Sequence, residues 1–402
     1  MKSRALLLLL LTASIHLPAC STDHKPTSYQ EPPPTEIIAL IHGQLIDDTG
    51  TNPIPDATIL IARQTITAAG PHETVLLPDG ATIIDLTDTT ILPGFINTHV
   101  HQGYNKPTLE AWAQGGVTTI RDLGANPQQP LFTIRDSLNT TPDCARLVAA
   151  GPMLTVPNGY PMVPWGSHSG LPVVSPADAR TKTNQLLDDG ADIIKIAVEA
   201  GSCFGRHIPT LTLPEIAAIV DVAHNRGIRV SAHVLMSVDL ERALKGGADD
   251  IAHMVSDNLP DSLINRMVAE DIYWVPTLEL WHNVGHGLGP IAIENLRRFV
   301  QAGGKVALGT DYAGYNSTFD LGMPIREIRW MREAGMTPMQ IIVASTNHAA
   351  IVCNKSEKIG TVEPGKVADL IVVQGNPLED LETLANVGMV FHNGVLIRGN
   401  RP

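Results

Sequence analysis

His99 and His101 stand two residues apart at the end of the apolar run Phe95–His99, and strand alternation turns both imidazoles to one face, where they can share a metal ion. Three further runs end on residues of the same kind: Val230-Ser231-Ala232-His233, Asp250-Ile251-Ala252-His253 and Leu308-Gly309-Thr310-Asp311. Lys195 sits inside another, Ile193-Ile194-Lys195-Ile196-Ala197, and a lysine flanked by apolar residues is costly to bury unless it is paired or chemically altered. Each residue alone has a plainer explanation. A single histidine at a strand end is more often a hydrogen-bonded structural group, Lys195 alone would be an ion-pair partner, and Asp311 alone would cap a following helix. Together, four histidines, a lysine and an aspartate form a ligand set for divalent cations, provided the fold gathers them.

Gathering them requires strands that run the same way. From Gly94 to about Cys353, short apolar runs alternate with helix-length periodic segments, the pattern of βα units around a parallel sheet. Eight runs fall in this span: Phe95–His99, Val117–Asp122, Arg146–Gly151, Ile193–Ala197, Arg229–His233, Asp250–His253, Tyr273–Thr277 and Val306–Asp311. The intervening helices carry matching punctuation, with Pro214 opening and Gly227 closing one, and Gly246 ending the helix from Val238. This predicts an α/β fold, a (β/α)8 TIM barrel over 93–358, whose active site lies at the C-terminal ends of the strands. Residues 36–92 read instead as β-rich runs, Ile37–Ile46, Ala57–Ile61, Thr65–Ala68 and Thr82–Leu86, with no helix among them. Residues 359–402 return to such runs at Leu370–Val373, Met389–His392 and Gly394–Ile397. The two ends are expected to pair into one small β-sandwich that holds His42, His72 and His392, while His224 lies on a helix surface.

Composition narrows the partners. The chain has 402 residues, 44% hydrophobic and 17% charged, enough for a large core. Its four cysteines include no CxxC pair, so Cys144, Cys203 and Cys353 read as small buried hydrophobes. A formal charge of −13 without a basic stripe argues against nucleic acid. Lys2 and Arg4 precede an apolar run, Ala5 to Ile15, too short for a permanent span and suited to a secretory signal. That run leads into Leu17-Pro18-Ala19-Cys20, which resembles the lipobox of bacterial lipoproteins. The resemblance implies a signal peptide over 1–19, a lipid on Cys20, a tether over 20–35 and a place in the cell envelope, facing periplasm or surface. Ser21 lacks the aspartate that commonly retains such proteins at the inner membrane, which favours the outer one.

The segments Pro93-Gly94-Phe95-Ile96-Asn97-Thr98-His99-Val100-His101 and Gly116-Val117-Thr118-Thr119-Ile120-Arg121-Asp122 resemble the opening strands of metal-dependent amidohydrolases. The run from Gly360-Thr361-Val362-Glu363-Pro364-Gly365 to Asp369-Leu370 resembles that family's return from the barrel. The group containing imidazolonepropionase-like proteins and Xaa-Pro dipeptidases is the most similar. One departure is Asn97, where many members have Asp. The resemblance implies two divalent ions, with zinc the best match to imidazole and oxygen ligands. It assigns His99, His101 and Asp311 to the buried ion, His233 and His253 to the outer one, and Lys195, carboxylated by carbon dioxide, to both. A metal-bridging hydroxide would attack the scissile carbonyl, and Asp311 would pass its proton to the leaving amine. The family's barrels often form dimers or larger rings, so a homo-oligomer is one expected state.

Specificity in a barrel comes from the loops after the strands. These offer Tyr104, Tyr160, His168, Arg206, His207 and Tyr312 as substrate contacts; His168 leads because its Gly-rich loop gives it little reason to be core, and Arg206 or His207 would hold a substrate carboxylate. The expected substrate is a small molecule or short peptide cleaved at an amide: an Xaa-Pro peptide, an N-acyl amino acid or a cyclic amide. The same ligands would serve a lactone, carbamate or phosphoester hydrolase. A non-catalytic metal- or ligand-binding lipoprotein is disfavoured, since a binder has no use for the Asp311 proton shuttle.

Overall fold

A computed structural model describes residues 36–166, 168–202, 205–285, 287–314 and 317–400. The signal segment, Cys20 and the tether lie outside the described residues, as do Cys203 and Tyr315. In chain order the strands are β1 (Ile37–Leu45), β2 (Ile54–Ala62), β3 (Thr65–Pro71), β4 (Thr82–Asp85), β5 (Thr89–Pro93), β6 (Phe95–Val100), β7 (Val117–Asp122), β8 (Arg146–Ala149) and β9 (Leu154–Thr155). They continue with β10 (Leu171–Pro172), β11 (Ile194–Ala197), β12 (Val230–His233), β13 (Asp250–Ala252), β14 (Tyr273–Val275), β15 (Lys305–Val306), β16 (Leu370–Gln374), β17 (Val387–His392) and β18 (Val395–Arg398). Each of the eight expected barrel runs overlaps one of β6–β8, β11–β14 and β15.

Several of the helices between these strands begin at residues whose side chains cap them. Asn105 accepts from the Thr108 amide at the head of Lys106–Gln114, and Ser175 from the Asp178 amide at the head of Pro176–Asp188. Thr337 and Gln340 form a reciprocal capping box on Pro338–Ser345. The inward faces merge with the strands in one apolar core: Leu109 and Trp112 of the first helix lie in the same cluster as Val117 and Ile120 of β7. Among the described residues no helix is long and apolar enough to cross a membrane.

The strands between the chain ends form two parallel sheets, β6-β7-β8 and β10-β9-β11-β12-β13-β14-β15. The segment after β15 runs back beside β6: the Thr98 amide donates to the Leu308 carbonyl at 2.8 Å, and the Asp311 amide to the His99 carbonyl at 2.8 Å. Gly309 makes this approach feasible, since a Cβ there would sit 2.8 Å from the His99 Cβ. The chain ends do pair, through antiparallel β5 and β16, but in one continuous eight-stranded sheet, β18-β17-β16-β5-β1-β2-β3 with β4 on β1. β5, hidden in sequence against the start of β6, makes this continuity by bridging β1 and β16. A 3-10 turn, His72–Thr74, also interrupts a stretch where no helix is expected.

Between the two parallel sheets lies a buried ion pair. Arg121 of β7 donates to both carboxylate oxygens of Asp250 on β13 at 3.0 Å, and also to the carbonyls of Thr98 at 2.6 Å and Val352 at 2.9 Å. Both side chains are fully enclosed. Burial opposes each charge, yet the pairing holds the Arg121 guanidinium above and the Asp250 carboxyl below its ordinary pKa. Removing one partner strands the other in a dry interior. We expect Arg121→Met to cost about 3–5 kcal/mol in denaturant unfolding, with a large part recovered when Asp250→Leu is added. A single variant as stable as the parent would show that the pair does not hold the sheets together.

Candidate metal centre

The register explains why the six residues meet. Lys195 pairs across β11–β12 with Ser231 and onward with Asp250, while Ala197 pairs with His233, so Lys195 and His233 project from one face a single rung apart. β6 carries Asn97 and His99 on one face; His101 and His253 follow immediately after their strands, and Asp311 lies five residues beyond the end of β15. His253, Asp311 and the nearby Thr277 have φ of 72°, 61° and 49°, a left-handed backbone that non-glycine residues rarely adopt and that concentrates where function demands it.

These side chains converge on one point. Asp311 Oδ1 is 3.2 Å from His99 Nε2 and 3.1 Å from His101 Nε2. Ligand atoms of His99, His253 and Asp311 all lie within 4.8 Å of one another. The rings of His99 and His253 are 4.6 Å apart, those of His233 and His253 4.7 Å. Burial, joined by the neighbouring Lys195 charge, drives His99 and His233 well below the usual histidine range; burial dominates for His253 as well. Neutral imidazoles keep a lone pair for a cation. The outer nitrogens are anchored, His101 Nδ1 at 3.2 Å from the Gly124 carbonyl and His253 Nδ1 at 3.0 Å from Thr277 Oγ1, which fixes each ring with Nε2 available.

What the centre lacks is internal satisfaction. Both nitrogens of His99, His233 Nε2, Lys195 Nζ and Asp311 Oδ1 are buried without a hydrogen bond. Five orphaned polar atoms at one point is a deficit that folded proteins avoid unless something else satisfies them. Imidazole nitrogens and a carboxylate oxygen suit a divalent cation, so the residues present fit one. Lys195 is the exception in type: burial pulls its ammonium down to about 7, against the pull of Asp250.

The centre forms the floor of a cavity of about 620 Å³. Of the residues singled out for substrate contact, Tyr104, Tyr160 and Tyr312 line it, and Tyr160 stacks on His233 at 4.0 Å. His168, Arg206 and His207 do not. His168 is exposed and its Nδ1 meets Gln128 Nε2 at 3.3 Å, while Arg206 and His207 face solvent. A polar residue in a glycine-rich loop is satisfied by water as readily as by a site, which is why loop polarity misdirects here. Asn126, Gln129, Met153, Trp165 and Ser169 also line the cavity, and the first two are accessible to the rule that residues just after a strand face the rim. Asn97, the family departure, bonds across the centre: its Nδ2 donates to Thr310 Oγ1 at 2.9 Å and its Oδ1 accepts from the amides of His99 and Thr310.

The amidohydrolase family model matches residues 90–397. Ochratoxinase of Aspergillus niger is 23% identical over 90% of this chain and 87% of its own length. Enamidase of Eubacterium barkeri is 24% identical over 84% of this chain and 87% of its own. A crystal structure of a Xaa-Pro dipeptidase with methionine bound in its active site is similar at a TM-score of 0.78 and 26% identity, covering 90% of this chain and all of that one. These likenesses make the fold of the TIM-barrel α/β type. With the match running from the strand before His99 to the last strand of the terminal sheet, the chain belongs to the amidohydrolase family and is a hydrolase of carbon–nitrogen bonds.

Proposed function

We propose that the protein hydrolyses an amide bond of a small, largely uncharged substrate at a pair of divalent ions, best matched by zinc, held by His99, His101, Lys195, His233, His253 and Asp311. The observation that carries this reading is the set of buried, hydrogen-bond-starved nitrogens and oxygen on the cavity floor. When bound, such ions lower the pKa of water and polarise the amide carbonyl. The reading takes the two parallel sheets as arcs of one closed barrel. It also keeps the Cys20 lipid anchor and the bacterial cell envelope as the protein's place.

Within this reading each residue has a task. A Lys195 pKa of about 7 leaves much of the side chain as free amine at neutral pH. That amine adds to carbon dioxide through a new N–C bond and releases one proton, becoming an anionic oxygen ligand at a position where an ammonium would repel the ions. Asp311, facing His99 and His101, takes a proton from the attacking water and delivers it to the leaving nitrogen. Tyr160, flat on His233, presents its ring to the substrate.

The walls narrow the substrate. Among the described lining residues there is no lysine or arginine, and Tyr104, Tyr160, Trp165 and Tyr312 supply aromatic surface. A volume near 620 Å³ accommodates a dipeptide-sized ligand. With no lysine or arginine among the described wall residues to clamp a free carboxylate away from the ions, capped or cyclic amides fit better than free acids. The dipeptidase among the similar structures favours a peptide-like amide.

Lys195→Ala is expected to lose metal and at least about 100-fold in kcat/KM, with partial rescue by short carboxylates. Full metal content with unchanged turnover would remove Lys195 from the centre. Capped Xaa-Pro amides or aryl amides should exceed the matching free-carboxylate dipeptides by about 10-fold or more in kcat/KM, about 1.4 kcal/mol, in a mass-spectrometric hydrolysis screen. Preference for the free acids would contradict the wall chemistry, and turnover of lactones or phosphoesters alone would replace the amide assignment.

A further inference from the structure

We propose a second divalent-metal site, separate from the barrel centre, on the sheet built by the chain ends and formed by His42, Asp56 and His72. One donor atom from each lies within 4.8 Å of the others. His42 Nδ1 is 3.1 Å from Asp56 Oδ1, and the two imidazole rings are 4.2 Å apart at an interplanar angle of 43°, too tilted for a stack.

Three features of the backbone produce this meeting. β1 and β2 pair in register up to Ile41↔Thr58 and then slip to Gly43↔Ala57, leaving His42 as the extra residue of a bulge. Its φ is 64°, a conformation that histidine adopts seldom and that re-aims the side chain toward Asp56. His72 opens the 3-10 turn after β3, and its ring is set by the buried Thr58, whose Oγ1 lies 2.7 Å from Nδ1. That bond leaves Nε2 for another partner, the arrangement by which outer hydrogen bonds orient metal-ligating histidines. Asp85 lies within electrostatic reach of His42 and adds negative charge on that side of the cluster.

Two imidazoles and a carboxylate are the ligand chemistry of Zn²⁺, with Cu²⁺ and Ni²⁺ as close competitors. Bonds of about 2.0–2.2 Å require the three donors to close in slightly, which part-exposed side chains can do by rotation, and leave a fourth position to water. The bound ion would tie β1, β2 and the turn after β3 together across the bulge. Nothing in this site depends on the barrel residues.

The test is zinc content by mass spectrometry after equilibration of the purified protein at fixed free Zn²⁺, with folding followed by thermal melting. His42→Asn, which keeps a residue tolerant of positive φ, and separately His72→Gln, should each lower the content by one equivalent per chain with amide turnover unchanged. Placing His72→Gln on Lys195→Ala should remove a zinc that Lys195→Ala alone retains, which separates this site from the barrel centre whatever the fate of the catalytic assignment. Equal zinc content in parent and folded variants, in either background, would reduce the cluster to a hydrogen-bonded surface group and overturn the proposal.

Discussion

The fully buried pair of Arg121 and Asp250 is the constraint on which the centre rests. It spans the interval between the three-stranded and seven-stranded sheets, and Arg121 also holds the carbonyl of Thr98, one residue before His99. Its electrostatics matter as much as its geometry. Burial acts most strongly against the Lys195 ammonium; Asp250 favours the charged form, Arg121 opposes it, and Asp311 favours it. An unpaired Asp250 would favour the Lys195 ammonium, the form that cannot serve as a ligand. By pairing with Asp250, Arg121 offsets part of that carboxylate's pull on Lys195, whose nitrogen is buried without a hydrogen bond.

Above that layer the rim is fixed by the backbone. His253 and Asp311 are in left-handed conformations, His253 just past β13 and Asp311 five residues past β15, where the chain has left the ladder and side-chain direction is no longer set by alternation. Such positions persist only if the surroundings hold them. The Asp311 amide is held by the His99 carbonyl, and Asn97 bonds both to the His99 amide and to Thr310. An asparagine does here what an aspartate would do less evenly: it offers a donor to Thr310 Oγ1 and an acceptor to two amides without adding a second buried negative charge near Asp311.

The six candidate ligands stand out in the sequence because strand periodicity and strand ends are local properties, and all six lie within or directly after runs that alternation identifies. The strands of the barrel were legible for the same reason. β5 was not, since Thr89–Pro93 abuts β6 with only Gly94 between them and reads as one continuous apolar segment. β9 and β10 are two residues each, too short for any period, yet their pairing brings Tyr160 and Trp165 over the centre while His168 ends in solvent. Which side chain of a glycine- and proline-rich loop turns inward depends on its φ and ψ, and on partners distant in sequence. Residue type alone does not encode it. The same limit explains His42 and His72, which look like ordinary sheet residues until a bulge and a turn bring them together.

The sheet at the chain ends is part of the same mechanical system. β5 continues through Gly94 into β6, so the strand bearing His99 begins in one sheet and ends in the other, with the Gly94 amide bonded to the Asp369 carbonyl at 2.8 Å. Asp369 accepts from Arg146 of β8 at 2.6 Å, and the same guanidinium reaches Asn393 beyond β17 at 2.6 Å. Burial opposes the Asp369 charge, but Arg146 and then His392 hold its carboxyl below the usual range, so the link stays ionised. The starts of β6 and β8 are thereby tied to a sheet that carries no ligand of the centre. In a fold of the TIM-barrel type, where the site is at the opposite ends of these strands, such anchoring fixes the strand origins and lets the rim loops vary without moving the candidate ligands.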